Sequence, residues 1–245
     1  MNRTSITGLA CLLAVALTAC AGGGEPPAPS GSPASAPLEA LKEPANSMSV
    51  SHPLSPAPVS AEALAAYRAL LAGEPGALDR PPEGLELHQV TLPPAEELEY
   101  VLLDLDGDGG AELVVQMVAQ PHQFNAVFHY GDGELSCWQY DIMEMSCRDY
   151  PLGDGAMVRQ YDTGTGPNRY SNLYTVFRYL PDGETEECAS LAVHQDTQED
   201  GTEVFTYLVD DAEVDQDTFA AEFEELVGSR LLSLEDWTPA TERPG

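Results

Sequence analysis

The stretch YVLLDLDGDGGAELVVQMVA, residues 100–119, holds two apolar runs on either side of a loop made of aspartate and glycine. The runs YVLLDL and ELVVQMVA have the length and the β-branched content that are typical of strands. We interpret the stretch as a strand, a loop and a second strand. The composition of the loop is the most chemically specific feature of the chain.

The loop crowds four carboxylates into nine residues, on Asp104, Asp106, Asp108 and Glu112. Like charges a few ångströms apart repel, and each raises the proton affinity of the others. The arrangement is therefore unfavourable unless a cation lies among the carboxylates.

The spacing of the loop is that of an oxygen-only calcium loop. With Asp104 as position one, side-chain oxygens fall at positions one, three, five and nine, and the carbonyl of Gly110 at seven. Gly109 at position six permits the sharp turn. Position twelve is Val115, where an EF-hand has a bidentate glutamate. We predict a structural calcium site outside the EF-hand class, with the ligands Asp104, Asp106, Asp108, Gly110 and Glu112. An acidic turn, or another cation, is the alternative.

The order strand, DxDxDGxxEL, strand resembles the calcium loops of the FG-GAP and VCBS class of extracellular β domains. It is also similar to a wider group of secreted bacterial lipoproteins, in which a short helix, a linker and a strand ending in DxDGDGxxEL follow one another. The ending YLVDDAEVDQDTFAAEFEEL, residues 207–226, resembles the close of those chains. The resemblance covers most of residues 60–228 and implies a calcium-stabilised, surface-anchored domain; it does not imply a particular activity.

The N-terminus MNRTSITGLACLLAVALTAC has the anatomy of a secretory signal: Arg3, an apolar run over 6–19, and small residues before Cys20. The run is too short for a comfortable membrane span. Residues 17–20, Leu-Thr-Ala-Cys, resemble the bacterial lipobox, which implies that residues 1–19 are a lipoprotein signal peptide and that Cys20 is lipidated. A plain cleaved signal and an uncleaved anchor are the alternatives.

Residues 20–59 follow as a segment dominated by Pro, Ala, Ser and Gly. Such a composition cannot bury a core, and it predicts a disordered tether. A tether behind a lipidated cysteine suits a domain held on the extracytoplasmic face of a cell membrane.

The charge of the chain is strongly negative, with 10 Lys plus Arg against 41 Asp plus Glu and a formal net charge of −31. This balance excludes electrostatic attraction to nucleic acid and favours a cation or a basic partner. The length of 245 residues, less the signal and the tether, fits one domain.

Three cysteines remain beyond Cys20, at Cys137, Cys147 and Cys188. Outside the cytosol, Cys137 and Cys147 are close enough in sequence for a hairpin disulfide, with Cys188 left as a buried thiol. Three unpaired core cysteines are the alternative.

The remaining pattern predicts an α+β domain over residues 60–238. SAEALAAYRALLAGE begins a helix at Ser60, and EVDQDTFAAEFEELVGSR a second helix with Asp215 as its cap. Short apolar runs between them are separated by turns at residues 132–133, 154–155 and 182–183, each Asp-Gly. We expect a mostly antiparallel, sandwich-like meander with one helix at each end and a disordered tail over 239–245. Propeller-like blades are the minor alternative.

No motif of a known catalytic class stands out, and we predict no catalytic residue. The five histidines are scattered without ligand spacing, which favours surface or core roles; they are His52, His88, His122, His129 and His194. The expected function is a non-catalytic binding or scaffold module for an unknown protein or glycan. A secreted, glycosidase-like hydrolase with an unrecognised acidic site is one alternative. An accessory or sensor lipoprotein of an envelope complex is another.

Overall fold

Strands and tight turns alternate through most of the computed structural model, which describes residues 57–119, 124–142, 147–166 and 168–244. The predicted signal peptide, the lipidation site at Cys20 and the tether as far as residue 56 lie outside the described residues. The described part of the chain belongs to one compact unit.

In the described part of the chain, eleven strands form two open antiparallel sheets. The first sheet has the order β11-β1-β2-β3-β4, with the strands β1 (Leu98–Leu103), β2 (Glu112–Met117), β3 (Phe124–Gly131), β4 (Glu134–Ile142) and β11 (Thr238–Pro239). The second has the order β10-β9-β8-β7-β6-β5, with the strands β5 (Cys147–Pro151), β6 (Met157–Gly166), β7 (Arg169–Tyr179), β8 (Thr185–Thr197), β9 (Glu203–Val209) and β10 (Ala212–Val214). Chain neighbours pair within each sheet, so the predicted antiparallel meander is confirmed. The described strands do not form the four-stranded blades of a propeller.

Over the described ranges, two α-helices flank the sheets, one near each end of the domain: α1 (Ala61–Leu71) and α2 (Gln216–Leu226). The side chain of Ser60 accepts from the Ala63 amide at 3.0 Å, and that of Asp215 from the Thr218 amide at 2.8 Å. These bonds satisfy amides that the first helical turn leaves unpaired, so both predicted caps are confirmed. Short 3₁₀ turns cover Leu87–Gln89, Ala95–Glu97, Gly228–Arg230 and Leu234–Asp236. Among the described residues, no helix combines the length and the apolar character that crossing a membrane would need.

The predicted Asp-Gly turns join consecutive strands. Asp132 and Gly133 have φ angles of 54° and 83° between β3 and β4, and two positive φ values in succession are the mark of a type I′ hairpin turn. The turns at 154–155 and 182–183 join β5 to β6 and β7 to β8. All three hairpin predictions are confirmed.

The core consists of three layers of buried side chains. They lie between α1 and the first sheet, between the two sheets, and between the second sheet and α2. Tyr67 and Leu70 of α1 pack on one face of the first sheet, in a cluster that includes Leu113 of β2. The opposite face meets the second sheet, where Val114 and Phe177 share a cluster. α2 covers the far face of the second sheet through a cluster that includes Phe219, Tyr174 and Leu191. Burial on both faces explains why β1 and β2 read as nearly continuous apolar runs.

A hydrogen-bonded polar network also joins the two sheets. The Asp149 side chain is 0 % exposed; its carboxylate accepts from Arg159 at 2.6 Å and from Gln139 at 2.9 Å. Gln139 accepts in turn from the Tyr179 hydroxyl at 2.7 Å. Because these groups are paired, their burial between the sheets avoids the cost of an unpaired charge.

The C-terminal segment corrects one prediction. Residues 239–245 were expected to be a disordered tail, but within the described residues, which extend to 244, Pro239 of β11 pairs with Glu99 of β1. The Ala240 amide then donates to the Leu98 carbonyl at 2.9 Å, and Arg68 Nε donates to the Pro244 carbonyl at 2.6 Å. Besides these bonds to its backbone, the segment has Ala240 buried in the core cluster of α1 and the first sheet, and one buried residue leaves no hydrophobic period in the sequence.

Strand β8 was missed by the sequence interpretation although it is the longest strand, at 13 residues. Its first four residues are exposed, and only Ala189, Leu191 and Val193 alternate as buried positions. That short alternation was the available signal.

Candidate metal centre

The loop between β1 and β2 is held in its conformation by hydrogen bonds from its backbone amides to its own aspartate side chains. Asp104 accepts from the Gly107 amide at 2.8 Å and from the Gly109 amide at 3.1 Å through its two oxygens. Asp106 accepts from the Asp108 amide at 3.0 Å. The φ angle of Gly109 is 88°, which a residue with a Cβ rarely adopts, so the predicted sharp turn at position six is present.

Three predicted ligands come together in this loop. One carboxylate oxygen from each of Asp104, Asp106 and Asp108 lies within 4.8 Å of the others. Such a group could hold a metal ion, and its ligands are the hard oxygens that calcium and magnesium take.

Glu112, the fourth predicted side-chain ligand, belongs to a second group with Asp106 and His129, whose ligand atoms also lie within 4.8 Å of one another. The side chain of Glu112 is 2 % exposed. Its Oε2 accepts from the Leu105 amide at 2.7 Å, and its Oε1 lies 3.0 Å from Nδ1 of His129. Asp106 is thus shared between two groups. The roles of Glu112 and of the Gly110 carbonyl as ligands of the same ion stay predictions.

Burial and crowded charge shift the protonation of these groups. Burial raises the pKa of Glu112, although hydrogen bonds from His129 and the Leu105 amide lower it in part. Burial likewise raises the pKa of Asp106, and the neighbouring Asp108 and Asp104 raise it further. Burial lowers the pKa of His129, but the hydrogen bond to Glu112 and the negative charges of Glu112, Asp106 and Asp108 together outweigh burial and leave the pKa above its usual value. The centre thus favours binding positive charge, as a proton or as a metal ion.

The loop is supported from two sides. Tyr67 of α1 is 1 % exposed, and its hydroxyl donates to the Ala111 carbonyl at 2.8 Å. On the other side, Gly155 in the β5–β6 turn lies so near the loop that a Cβ there would overlap the Asp104 carbonyl. The loop therefore lies where α1, the first sheet and a hairpin of the second sheet meet.

His129 is the site residue that sequence reasoning missed, because the histidines were assigned to surface or core roles. Phe128 pairs with Leu113 between β3 and β2, which brings the adjacent residues His129 and Glu112 side by side. Finding this contact from sequence requires the register of β2 against β3, which the segment between them does not specify. The His129 ring also stacks on Trp138, with centroids 4.3 Å apart and an interplanar angle of 11°.

The cysteines lie on different elements. Cys137 of β4 is a buried thiol that donates to the Gln139 carbonyl at 3.1 Å, and burial raises its pKa to about 12. Cys147 begins β5 in the other sheet, and Cys188 is exposed, not buried as expected. The disulfide between Cys137 and Cys147 stays a prediction.

Comparisons of the chain with protein-family models, with curated proteins and with solved structures return no match. The resemblance of the loop to extracellular calcium loops stays an expectation.

Proposed function

We propose that the protein is a lipid-anchored module on the extracytoplasmic face of a cell membrane, with a domain stabilised by calcium that acts as a binding or scaffold module. The observation that carries the calcium site is the meeting of Asp104, Asp106 and Asp108 within 4.8 Å in a loop turned by Gly109. All-oxygen ligands at positions one, three and five favour calcium. Magnesium is less suited because it demands a tight octahedron and keeps its waters.

The position of the loop supports a structural role for the ion. The loop joins β1 to β2, accepts a hydrogen bond from Tyr67 of α1 and lies against Gly155 of the second sheet. An ion there removes the repulsion among the carboxylates and holds these elements in register. At about 100 times its dissociation constant, a ligand of the native state adds about 2.7 kcal/mol. For a domain of this size that is a rise of roughly 5–10 °C in Tm.

The anchoring and the binding role rest on the sequence. Cys20 in its lipobox-like context would carry the lipid, and residues 21–59 would separate the domain from the membrane. The net charge of −31 favours a basic protein surface, or a glycan bridged by cations, over an acidic partner.

The calcium proposal is tested by thermal melting of the purified chain in calcium and in EDTA. We expect a higher Tm in calcium, and we expect Asp108→Asn to lose most of that gain. Asn can still accept from the Gly110 amide, which donates to Asp108 at 2.5 Å, so the turn is kept while the charge is removed.

Asp182→Asn is the matched control. Asp182 also lies in an Asp-Gly turn and accepts a backbone amide, from Glu184 at 3.1 Å, but belongs to neither ligand group of the described residues. Its variant should respond to calcium like the parent protein. Equal Tm values for the parent in calcium and in EDTA would refute the calcium site.

The anchor is tested separately. Cys20→Ser should abolish incorporation of a labelled fatty acid and release the protein from the membrane fraction. Labelling that persists in the variant would exclude Cys20 as the lipidated residue.

A further inference from the structure

The group of Asp106, Glu112 and His129 differs in chemistry from the aspartate loop beside it. It contains the imidazole of His129, and the side chain of Glu112 is only 2 % exposed. Calcium prefers oxygen ligands alone, whereas imidazole suits zinc, copper, iron and nickel. We propose that these three residues form a second cation site that takes a divalent transition metal, with Zn²⁺ as the ion to test.

The distances suit one small ion. Nδ1 of His129 and Oε1 of Glu112 are 3.0 Å apart, and the ligand atoms of all three residues lie within 4.8 Å of one another. With metal–ligand distances of about 2.0–2.2 Å, two ligands of the same zinc ion lie about 3.0–3.5 Å apart. The separation of His129 and Glu112 already lies close to this range, and a closer approach of the Asp106 carboxylate would complete a three-ligand shell that leaves a further position open.

A buried carboxylate oxygen of Asp106 also points to a bound cation. Oδ2 of Asp106 is inaccessible to solvent and has no hydrogen-bond partner within the described part of the chain. Buried polar atoms are nearly always paired, and an unpaired carboxylate oxygen is costly. Oδ1 of Asp106 already accepts from the Asp108 amide in the aspartate loop at 3.0 Å. Oδ2 is thus the free oxygen of the shared residue, and a cation beside Glu112 and His129 would be its partner.

The transition-metal site goes beyond the proposed calcium site and does not depend on it. The calcium loop uses Asp104 and Asp108, which are not members of the second group. The transition-metal site in turn needs His129, which is not a calcium ligand. Each site therefore has at least one ligand that the other lacks, although Asp106 belongs to both groups and Glu112 is also a predicted calcium ligand.

Trp138 offers a direct reporter, because its ring stacks on His129 with centroids 4.3 Å apart. The chain has two tryptophans, so Trp237→Phe leaves Trp138 as the single one. A metal ion on the imidazole changes the electronic environment of the stacked indole, and hence its emission.

The experiment titrates ZnCl₂ into the metal-stripped full chain carrying Trp237→Phe, followed by Trp138 emission and by calorimetry. We expect a saturable change in emission at micromolar zinc. His129→Asn should weaken this binding by at least about tenfold and abolish the change in emission, since a direct ligand is lost. The asparagine amide can still donate to Glu112, so the variant keeps the local hydrogen bond.

The matched control is His88→Asn. His88 Nδ1 lies 3.2 Å from Glu86, but the side chains of this pair are 76 % and 78 % exposed, and the pair belongs to neither ligand group. The control should bind zinc like the parent. The double variant Asp104→Asn, Asp108→Asn should also keep the zinc response while its stabilisation by calcium is lost.

The outcomes separate the two sites. Zinc binding that disappears in His129→Asn, with stabilisation by calcium unchanged, supports the second site even if the calcium proposal fails on its own test. No zinc response in the parent, or equal zinc affinity in the parent and His129→Asn, overturns it. If His129→Asn does not fold by circular dichroism, His129→Gln decides by the same criterion, because it also removes the imidazole and leaves Glu112, a predicted calcium ligand, in place.

Discussion

Tyr67 and Tyr174 are two buried tyrosines whose hydroxyl groups have different surroundings. The Tyr67 hydroxyl donates to the Ala111 carbonyl in the metal loop at 2.8 Å. The Tyr174 hydroxyl is buried and has no hydrogen-bond partner within the described residues. A lost buried hydrogen bond leaves an acceptor unpaired, whereas removal of an unpaired hydroxyl removes a penalty.

We therefore expect Tyr67→Phe to lower the free energy of unfolding by about 1–2 kcal/mol. Tyr174→Phe should leave it unchanged or raise it. Urea denaturation of both variants at fixed calcium measures the difference. Equal losses in the two variants would show that the bond to Ala111 makes no specific contribution.

Cys137 is a residue whose reactivity the structure constrains. The thiol is buried and burial raises its pKa to about 12, so little thiolate is present at pH 8. We expect iodoacetamide to modify the exposed Cys188 much faster than Cys137 in the folded protein, as measured by peptide mass spectrometry. In guanidinium without reductant, Cys137 should become reactive if it is a thiol. Continued protection there, lifted by reductant, would instead establish the disulfide.

The β5–β6 hairpin is the element that connects the second sheet to the metal loop. Gly155 in its turn has a φ angle of 83°, and a Cβ there would overlap the Asp104 carbonyl. Gly201, between β8 and β9, has a similar φ angle of 82° but no atom within 4 Å of the same Cβ position. Both glycines have a positive φ angle that would strain an alanine. They differ because Gly155 lies close to another part of the chain and Gly201 does not.

Gly201→Ala should cost about 1–2 kcal/mol from the strain of the positive φ angle alone. Gly155→Ala should cost more, and it should weaken calcium binding because Asp104 has to move. Urea denaturation and calcium calorimetry of the two variants check this. Equal costs and equal calcium affinities would mean that the contact between the hairpin and the loop is not tight.

Elements differ in how far sequence could predict them. The caps at Ser60 and Asp215 and the Asp-Gly turns act within a few residues, so the sequence predicted α1, α2 and three hairpins correctly. β11 has two residues and no hydrophobic pattern, and it exists because β1 offers a free edge. A local sequence pattern does not predict contacts of that kind.

At the scale of the whole molecule, Asp154 links distant parts of the chain. Its carboxylate accepts from Arg178 of β7 at 2.8 Å and from Arg230, beyond α2, at 2.7 Å. Burial raises the pKa of Asp154, but the hydrogen bonds and charge of Arg230, with Arg178, outweigh burial and leave the pKa below its ordinary value. The native state therefore binds this proton more weakly than the unfolded state does.

The sign of the pH dependence follows from this difference. The contribution of Asp154 to stability is fully present above the ordinary pKa of 3.8 and is lost as the pH falls through the lower native pKa. Asp154→Asn should be less stable than the parent at pH 7, and the two should converge as the pH falls below 3.8 and through the lower native pKa. Chemical denaturation from pH 7 to pH 2.5 tests this. High salt should reduce the difference in unfolding free energy between the parent and Asp154→Asn at pH 7, because the ion pairs are partly exposed. A difference in unfolding free energy that stays constant with pH would contradict the proposed contribution of the Asp154 charge to stability.

The sequence by itself determined the class of fold, the two helices, the hairpin turns and the meeting of three aspartates around Gly109. These features depend on residues close together in the chain, where spacing dictates geometry. Tertiary structure alone decided that Glu112 lies against His129, that Tyr67 and Gly155 enclose the loop, and that the C-terminal segment completes the first sheet. Those contacts join residues from 17 to 176 positions apart, so they depend on strand register and sheet packing, which no local pattern specifies.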